Sequence, residues 1–335
     1  MHQRYRHCTI LTTKLLIPAA YDNLVVTDPV ALQEALMNPG QATIAGARHE
    51  TAAVNGTQLH YVTAGDQGVP VLLVHGFPET WWAFRKLIPL LAAQHRVYAV
   101  DLRGFGDSGV ADENYSGAVA AEDLHALIGH LSMGAMHVVG QDVSGGVIYR
   151  LAATHPENVI SLTAIESALA GFGAERLADV THGGAWYIGA LAAPGIASLL
   201  FEKEARAFIG EYLYPLYGAS STAVSPEDVT EFARTYGRPG GFSGAAGLYR
   251  GMLTEGEELR TLAQDKPLQM PVTTIGSRGG EFTYTAFRRV TTQEVTTLQL
   301  DGVGHYVAQE APHPLADRLL QVLATNAPSS LSERR

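Results

Sequence analysis

The feature that most constrains this chain is an alternation. Short runs rich in branched apolar residues, VPVLLVHG (69–76), HRVYAVDLRG (95–104), MHVVGQ (136–141) and VISLTAIES (159–167), are separated by the helix-like stretches AFRKLIPLLAAQ, AAEDLHALIGHLS and SGGVIYRLAATHP. A helix between two strands returns the chain to the end where the first strand began, so the strands pair in parallel and the helices cover both faces. QMPVTTIGS, EVTTLQLDGVGH and the helix HPLADRLLQVLATN continue the pattern further on. HETAAVNGTQLHYVTAG adds two alternating runs about Asn55-Gly56, a hairpin signal. The expected fold class is α/β, with a mostly parallel, doubly wound sheet.

Between 171 and 265 the alternation stops. Ala, Leu, Gly and aromatics dominate, with helical runs such as ARAFIGEYLYPLY and PEDVTEFARTYG. This reads as a helical cap inserted between two strands, so that 48–170 and 266–327 form the core and 171–265 the cap. Residues 1–47 read as an extension, with TDPVALQEALM as a short helix stopped by Asn38-Pro39-Gly40. A cap over the carboxyl ends of the strands encloses a cavity where open α/β sheets bind ligands.

Composition excludes more than it selects. Of 335 residues, 46% are hydrophobic and 17% charged, which fits a folded globular chain. A formal net charge of -10 argues against a nucleic-acid partner. The single cysteine, Cys8, allows neither an intrachain disulfide nor a cysteine metal cluster. The basic start and apolar stretch of MHQRYRHCTILTTKLLIPAA are interrupted by Lys14, so a cytoplasmic location is preferred and secretion is left open. No run reaches the about 18–20 apolar residues of a membrane helix, so no membrane partner is expected, and a homodimer is left open.

VVGQDVSGGV (138–147) carries the chemistry. A strand that enters a sharp, glycine-lined turn and leaves as a helix is a nucleophile elbow, whose crowded turn requires small residues two before and two after the nucleophile. With Asp142 at the tip, those residues are Gly140 and Ser144. With Ser144 at the tip they are Asp142 and Gly146, a poorer fit that also demands a longer strand. Asp142 is therefore preferred over Ser144, and a helix N-cap is its bland alternative. His75-Gly76-Phe77-Pro78 directly follows an apolar strand, so the Phe77 N–H, with that of Val143, can face the elbow as an oxyanion hole. His305, after the last strand, is placed to act as general base. Glu166, ending the strand after the elbow helix, is preferred over Glu281 as the carboxylate that orients it.

HGFPETWWAF, DLRGFGDS, VVGQDVSGGV, EFTYTAF and GVGHYVAQEAP resemble the α/β-hydrolase epoxide hydrolases and the related haloacetate dehalogenases, over roughly residues 50–325. The resemblance implies the α/β-hydrolase fold and supports Glu166, since a glutamate at this position resembles the Cif-type epoxide hydrolases where the dehalogenases carry aspartate. It also implies a ring-opening pair, Tyr187 in GGAWYIGAL and Tyr249 in AAGLYRGM. Ile188 stands where the dehalogenases have a halide-binding tryptophan. The bland alternative is that both tyrosines simply pack in the cap, and His182 is an alternative to Tyr187. The chain departs from the family at Gln141, where a histidine is usual, and at Val143, where a tryptophan is common; both imply a wider cavity beside the nucleophile.

The resulting expectation is an epoxide hydrolase that forms a vicinal diol through a covalent ester on Asp142, with Tyr187 and Tyr249 donating to the departing oxygen. Glu166-oriented His305 then activates water, Phe77 and Val143 hold the oxyanion, and His75, Pro78, Trp186 and His182 contact a small hydrophobic epoxide. No metal or cofactor is implied. The alternatives are a haloacid or haloalkane dehalogenase using the same aspartate, a serine esterase using Ser144, and a ligand-binding protein without catalysis.

Overall fold

The computed structural model describes residues 41–110 and 114–327. The expectations for residues 1–40, including the short helix before Asn38 and the N-terminal leader, lie outside the described residues.

Eight strands form one sheet: β1 (Arg48–Val54), β2 (Thr57–Ala64), β3 (Pro70–Val74), β4 (Arg96–Val100), β5 (Met136–Gln141), β6 (Val159–Ile165), β7 (Val272–Gly276) and β8 (Val295–Gln299). Their spatial order is β1-β2-β4-β3-β5-β6-β7-β8. β1 and β2 form the hairpin about Asn55-Gly56, β2 runs antiparallel to β4, and every pairing from β4 to β8 is parallel. Both turn residues have positive φ, 44° and 73°, the conformation that a two-residue hairpin of this hand requires.

The central strand β3 is apolar at every position because both its faces are covered. In β3, Leu72 and Val74 face one core cluster with the helices Gly117–Leu131 and Gly145–Thr154, and Val71 and Leu73 face another with Leu315 and Leu319 of the helix Pro312–Thr325. Successive strand side chains point to opposite faces, so a strand buried on both sides reads as the unbroken run VLLV.

Between β6 and β7 the chain leaves the sheet for a series of helices, including Trp186–Ala192, Ile196–Phe201, Pro226–Tyr236, Ser243–Thr254 and Gly256–Asp265. A π-helical turn, Phe208–Leu213, leads into the short helix Tyr214–Tyr217. Tyr187, Leu191, Phe208, Phe242, Leu248 and Tyr249 join the core cluster on the elbow side of the sheet, so these helices share one apolar interior with the sheet beneath. The junction is also pinned by ions: Arg234 grips Asp107 through two hydrogen bonds of 2.8 and 2.7 Å, and Arg85 pairs with Asp228. Among the described residues, no helix is long and apolar enough to cross a membrane.

Candidate active site

The carboxyl ends of β3, β5, β6, β7 and β8 converge on one cavity of about 410 Å3. At the end of β5, Gln141 is extended and Asp142 has φ 55°, after which the helix Gly145–Thr154 begins. That strained turn lifts the Asp142 carboxylate into the cavity. The space around it explains the small residues. A methyl group on Gly140 would come within 2.6 Å of Ile148 Cδ1, and one on Gly76 would collide with the Asp142 side chain.

Ser144 is turned the other way. It is fully buried; its hydroxyl accepts from the Gln141 N–H at 2.9 Å and lies 2.7 Å from the Gln141 carbonyl and 3.2 Å from that of Val74. It ties the elbow shut from beneath.

Four groups from four strand ends, Phe77, Asp142, Glu166 and His305, meet in this constellation. The Phe77 N–H donates to Asp142 Oδ1 at 3.0 Å. His305 Nε2 lies 2.9 Å from Asp142 Oδ2, and His305 Nδ1 lies 3.5 Å from Glu166 Oε2. Glu166 has φ 46° at the end of β6, and its carboxylate accepts from Ser277 N at 2.6 Å and from Gly279 N at 2.9 Å, both on the loop after β7. Backbone donors thus fix the carboxylate before it meets the imidazole. Glu281 is exposed, accepts a 3.3 Å bond from Thr285 within its own helix, and does not meet His305.

Burial alone would lower the His305 pKa, but its hydrogen bonds to Asp142 and Glu166, and their charges, override this and raise it to about 10. The imidazole beside a free Asp142 is therefore protonated at neutral pH.

Tyr187 and Tyr249 face the same cavity, both buried. Burial, then the phenol of Tyr217 for Tyr187 and the Asp142 charge for Tyr249, push their pKa values up, so both remain neutral hydrogen-bond donors. The Phe77 ring lies 6.3 Å from that of Tyr187 and 5.4 Å from that of Tyr249. One residue thus offers its N–H to Asp142 and its ring to both phenols. Pro78 and Val143 line the cavity, as does Ile188 beside Tyr187.

Comparison with known proteins gives the family of the chain. Residues 69–209 match a family model described as the alpha/beta hydrolase fold. A soluble epoxide hydrolase from Corynebacterium sp. (strain C12) is 31% identical over 290 residues, covering 82% of this chain and 97% of that protein. The chain belongs to the epoxide hydrolase family of α/β-hydrolase enzymes. The solved epoxide hydrolase CorEH superposes with a TM-score of 0.74 at 29% identity, over 83% of this chain and 99% of that one. A fluoroacetate dehalogenase from Burkholderia sp. is 26% identical over 282 residues, covering 81% of this chain and 92% of that protein.

Not every expected residue of this epoxide hydrolase family member reaches the cavity. His75 is fully buried beneath the loop: its Nδ1 lies 2.8 Å from the Gly76 carbonyl and its Nε2 accepts from Leu102 N at 3.2 Å. Burial lowers its pKa, as suits a neutral acceptor, and it braces the loop instead of touching a ligand. Trp186 faces outward, 47% exposed, and donates to the Tyr212 hydroxyl at 2.7 Å. His182 is exposed, with Nδ1 2.7 Å from Asp179 Oδ2, and does not line the cavity. Gln141 does not widen the cavity either; it is buried behind the elbow, where its amide donates to Glu79 Oε2 at 3.0 Å.

Two residues escaped the sequence reading. Tyr217 lines the cavity, shares a hydrogen bond with Tyr187, and accepts the His305 backbone N–H at its carbonyl at 3.0 Å. Glu79 is fully buried behind Asp142 and accepts from Gln141 and, at 2.8 Å, from Gln309. Burial drives its pKa up to about 7, against the lowering by the Gln309 hydrogen bond. The only signal for Glu79 was an acid in the otherwise uncharged turn HGFPET.

Proposed function

We propose that this enzyme hydrolyses a small, largely apolar epoxide to a vicinal diol through a covalent ester on Asp142. The observation that carries this reading is the Asp142 carboxylate on the elbow, with His305 at 2.9 Å on one side and the phenols of Tyr187 and Tyr249 lining the same cavity. Asp142 Oδ2 attacks a ring carbon, the carbon–oxygen bond breaks, and the departing alkoxide, hydrogen-bonded by the phenols, takes a proton from one of them, a proton that the phenolate then recovers from the His305 imidazolium. Ester formation removes the negative charge from Asp142. The imidazolium loses its closest counter-charge and, still buried, gives up its proton more readily.

Neutral His305, oriented by Glu166, then deprotonates a water that attacks the Asp142 carboxyl carbon. Oδ1, already on the Phe77 N–H, takes the negative charge of the tetrahedral intermediate, and Val143 follows the nucleophile where a second N–H is useful. Collapse releases the diol with one oxygen from Asp142. A halide-releasing reaction would use the same aspartate, and the Burkholderia dehalogenase relative favours testing it. Ile188 beside Tyr187 offers no indole donor to a leaving halide, which supports the epoxide.

The test is a single turnover of styrene oxide in heavy-oxygen water, with excess enzyme. The expected first diol is unlabelled and the label enters Asp142. Label appearing directly in the first diol would exclude the ester route, and fluoride release from fluoroacetate without diol formation would change the substrate class.

A further inference from the structure

A second cluster of ligating side chains lies away from the cavity, where the helix Gly117–Leu131 passes the end of the helix Gly145–Thr154. The imidazoles of His125 and His155 stack face to face, centroids 3.7 Å apart and planes 10° from parallel.

Each ring has one nitrogen already committed. His125 Nδ1 lies 2.6 Å from the Asn158 Oδ1, an acceptor, so it carries the hydrogen and Nε2 keeps the lone pair of the neutral ring. His155 Nε2 lies 2.9 Å from Glu122 Oε1, so it carries the hydrogen and Nδ1 keeps the lone pair. Glu157, 64% exposed, approaches that lone pair, with Oε1 3.6 Å from His155 Nδ1. One ligand atom from each of His125, His155 and Glu157 lies within 4.8 Å of the others.

We propose that His125, His155 and Glu157 form a binding site for a zinc-type divalent ion, with water completing the coordination. Two neutral imidazoles and a carboxylate are a fitting donor set for such an ion. Glu122 and Asn158 act behind the ligands, fixing the tautomer that leaves a lone pair available on each ring. Bonds of ~2.0–2.1 Å require the near-parallel rings to open into a wedge whose planes meet at the ion and Glu157 to swing in, which its exposure permits. The ion would tie together the two helices, one of which begins at the elbow. The buried group His60, Asp101 and Asp107 makes a contrast: Arg234 already occupies Asp107 through two hydrogen bonds, and the carboxylate of Asp101 accepts from the N–H groups of Trp81 and Asp107.

Calorimetric titration of the full chain with zinc chloride at neutral pH tests the site. The comparison is between wild type, His125→Ala and His155→Ala, because His2, His7 and Cys8 can take zinc independently. Wild type is expected to bind one more equivalent than either variant, and its unfolding midpoint to rise more on adding zinc. Glu122→Gln is expected to keep that equivalent at about ten- to hundredfold lower affinity. Circular dichroism without metal verifies that the variants are folded. Equal numbers of equivalents at equal affinity in wild type and both histidine variants would overturn the proposal.

Discussion

His305 Nε2 lies 2.9 Å from Asp142 Oδ2, whereas its other nitrogen is 3.5 Å from Glu166. Asp142, the proposed nucleophile, is therefore the nearer of the two charges that hold the imidazole protonated, at a pKa raised to about 10 despite burial. In the mechanism proposed above, this arrangement keeps the base switched off until the aspartate has been esterified. In Asp142→Asn, which mimics the neutral ester in charge, the His305 pKa should fall by several units, read from its ring proton resonances across a pH titration. An unchanged value would remove the charge coupling from the mechanism. The sign for stability follows from the same pair. A histidine raised above its ordinary 6.5 stabilises the fold fully below that pH and loses the contribution as pH rises through about 10.

The two elbow side chains should separate cleanly. Asp142→Ala should abolish turnover, by about 10^4-fold or more. Ser144→Ala removes a buried hydroxyl that bridges Gln141 and Val74, and should cost about 1–3 kcal/mol in urea unfolding while diol formation persists. Loss of activity in a folded Ser144→Ala protein with Asp142→Ala still active would reverse the assignment of the nucleophile.

Much of this site was legible because its determinants are local. The register of small residues about Asp142 and the placement of Glu166 at a strand end depend on a few consecutive residues, and the alternation of strands with helices dictates that their loops meet at one end of the sheet. What the sequence could not convey depends on long-range packing, including how the helices between β6 and β7 settle over that end. Trp186 and Tyr187 are neighbours on one helix, about 100° apart around its axis, so one faces solvent and the other the cavity. His182 belongs to a short turn held by Asp179, and local pattern gives no direction for it. Glu79 and Gln309 are 230 residues apart and become partners only through the fold.

Of the four tyrosines that line the cavity, Tyr187, Tyr217 and Tyr249 should not contribute equally. Removing one donor to a developing oxyanion costs about 10^2–10^3 in kcat, which is the expected effect of Tyr249→Phe and Tyr187→Phe on the alkylation step. Tyr217 is the hydrogen-bond partner of Tyr187 within the same cavity, so Tyr217→Phe should slow ring opening less, by about tenfold. Stopped-flow single turnovers read that step. A Tyr217→Phe defect as deep as that of Tyr249→Phe would make Tyr217 the direct donor.

Glu79 offers a test that needs no substrate. Its carboxyl is fully buried with a pKa raised from 4.5 to about 7, because burial outweighs the hydrogen bonds from Gln309 and Gly76 and the His305 charge, while the charge of Asp142 adds to the rise. An acid that binds its proton more tightly in the folded state stabilises the protein fully below its unfolded pKa, and this contribution is lost as pH rises through the folded value. Wild type should therefore lose stability between about 4.5 and 7 from this group alone, on the order of 3 kcal/mol. Glu79→Gln cannot ionise, so the difference in unfolding free energy between variant and wild type should drift in favour of the variant from about pH 5 to about pH 8. Because the amide introduced by Glu79→Gln would face the amides of Gln141 and Gln309, the variant is expected to start less stable at the acid end. A difference that stays flat across that range would mean that Glu79 is already ionised at pH 5, held there by Gln141, Gln309 and the His305 charge.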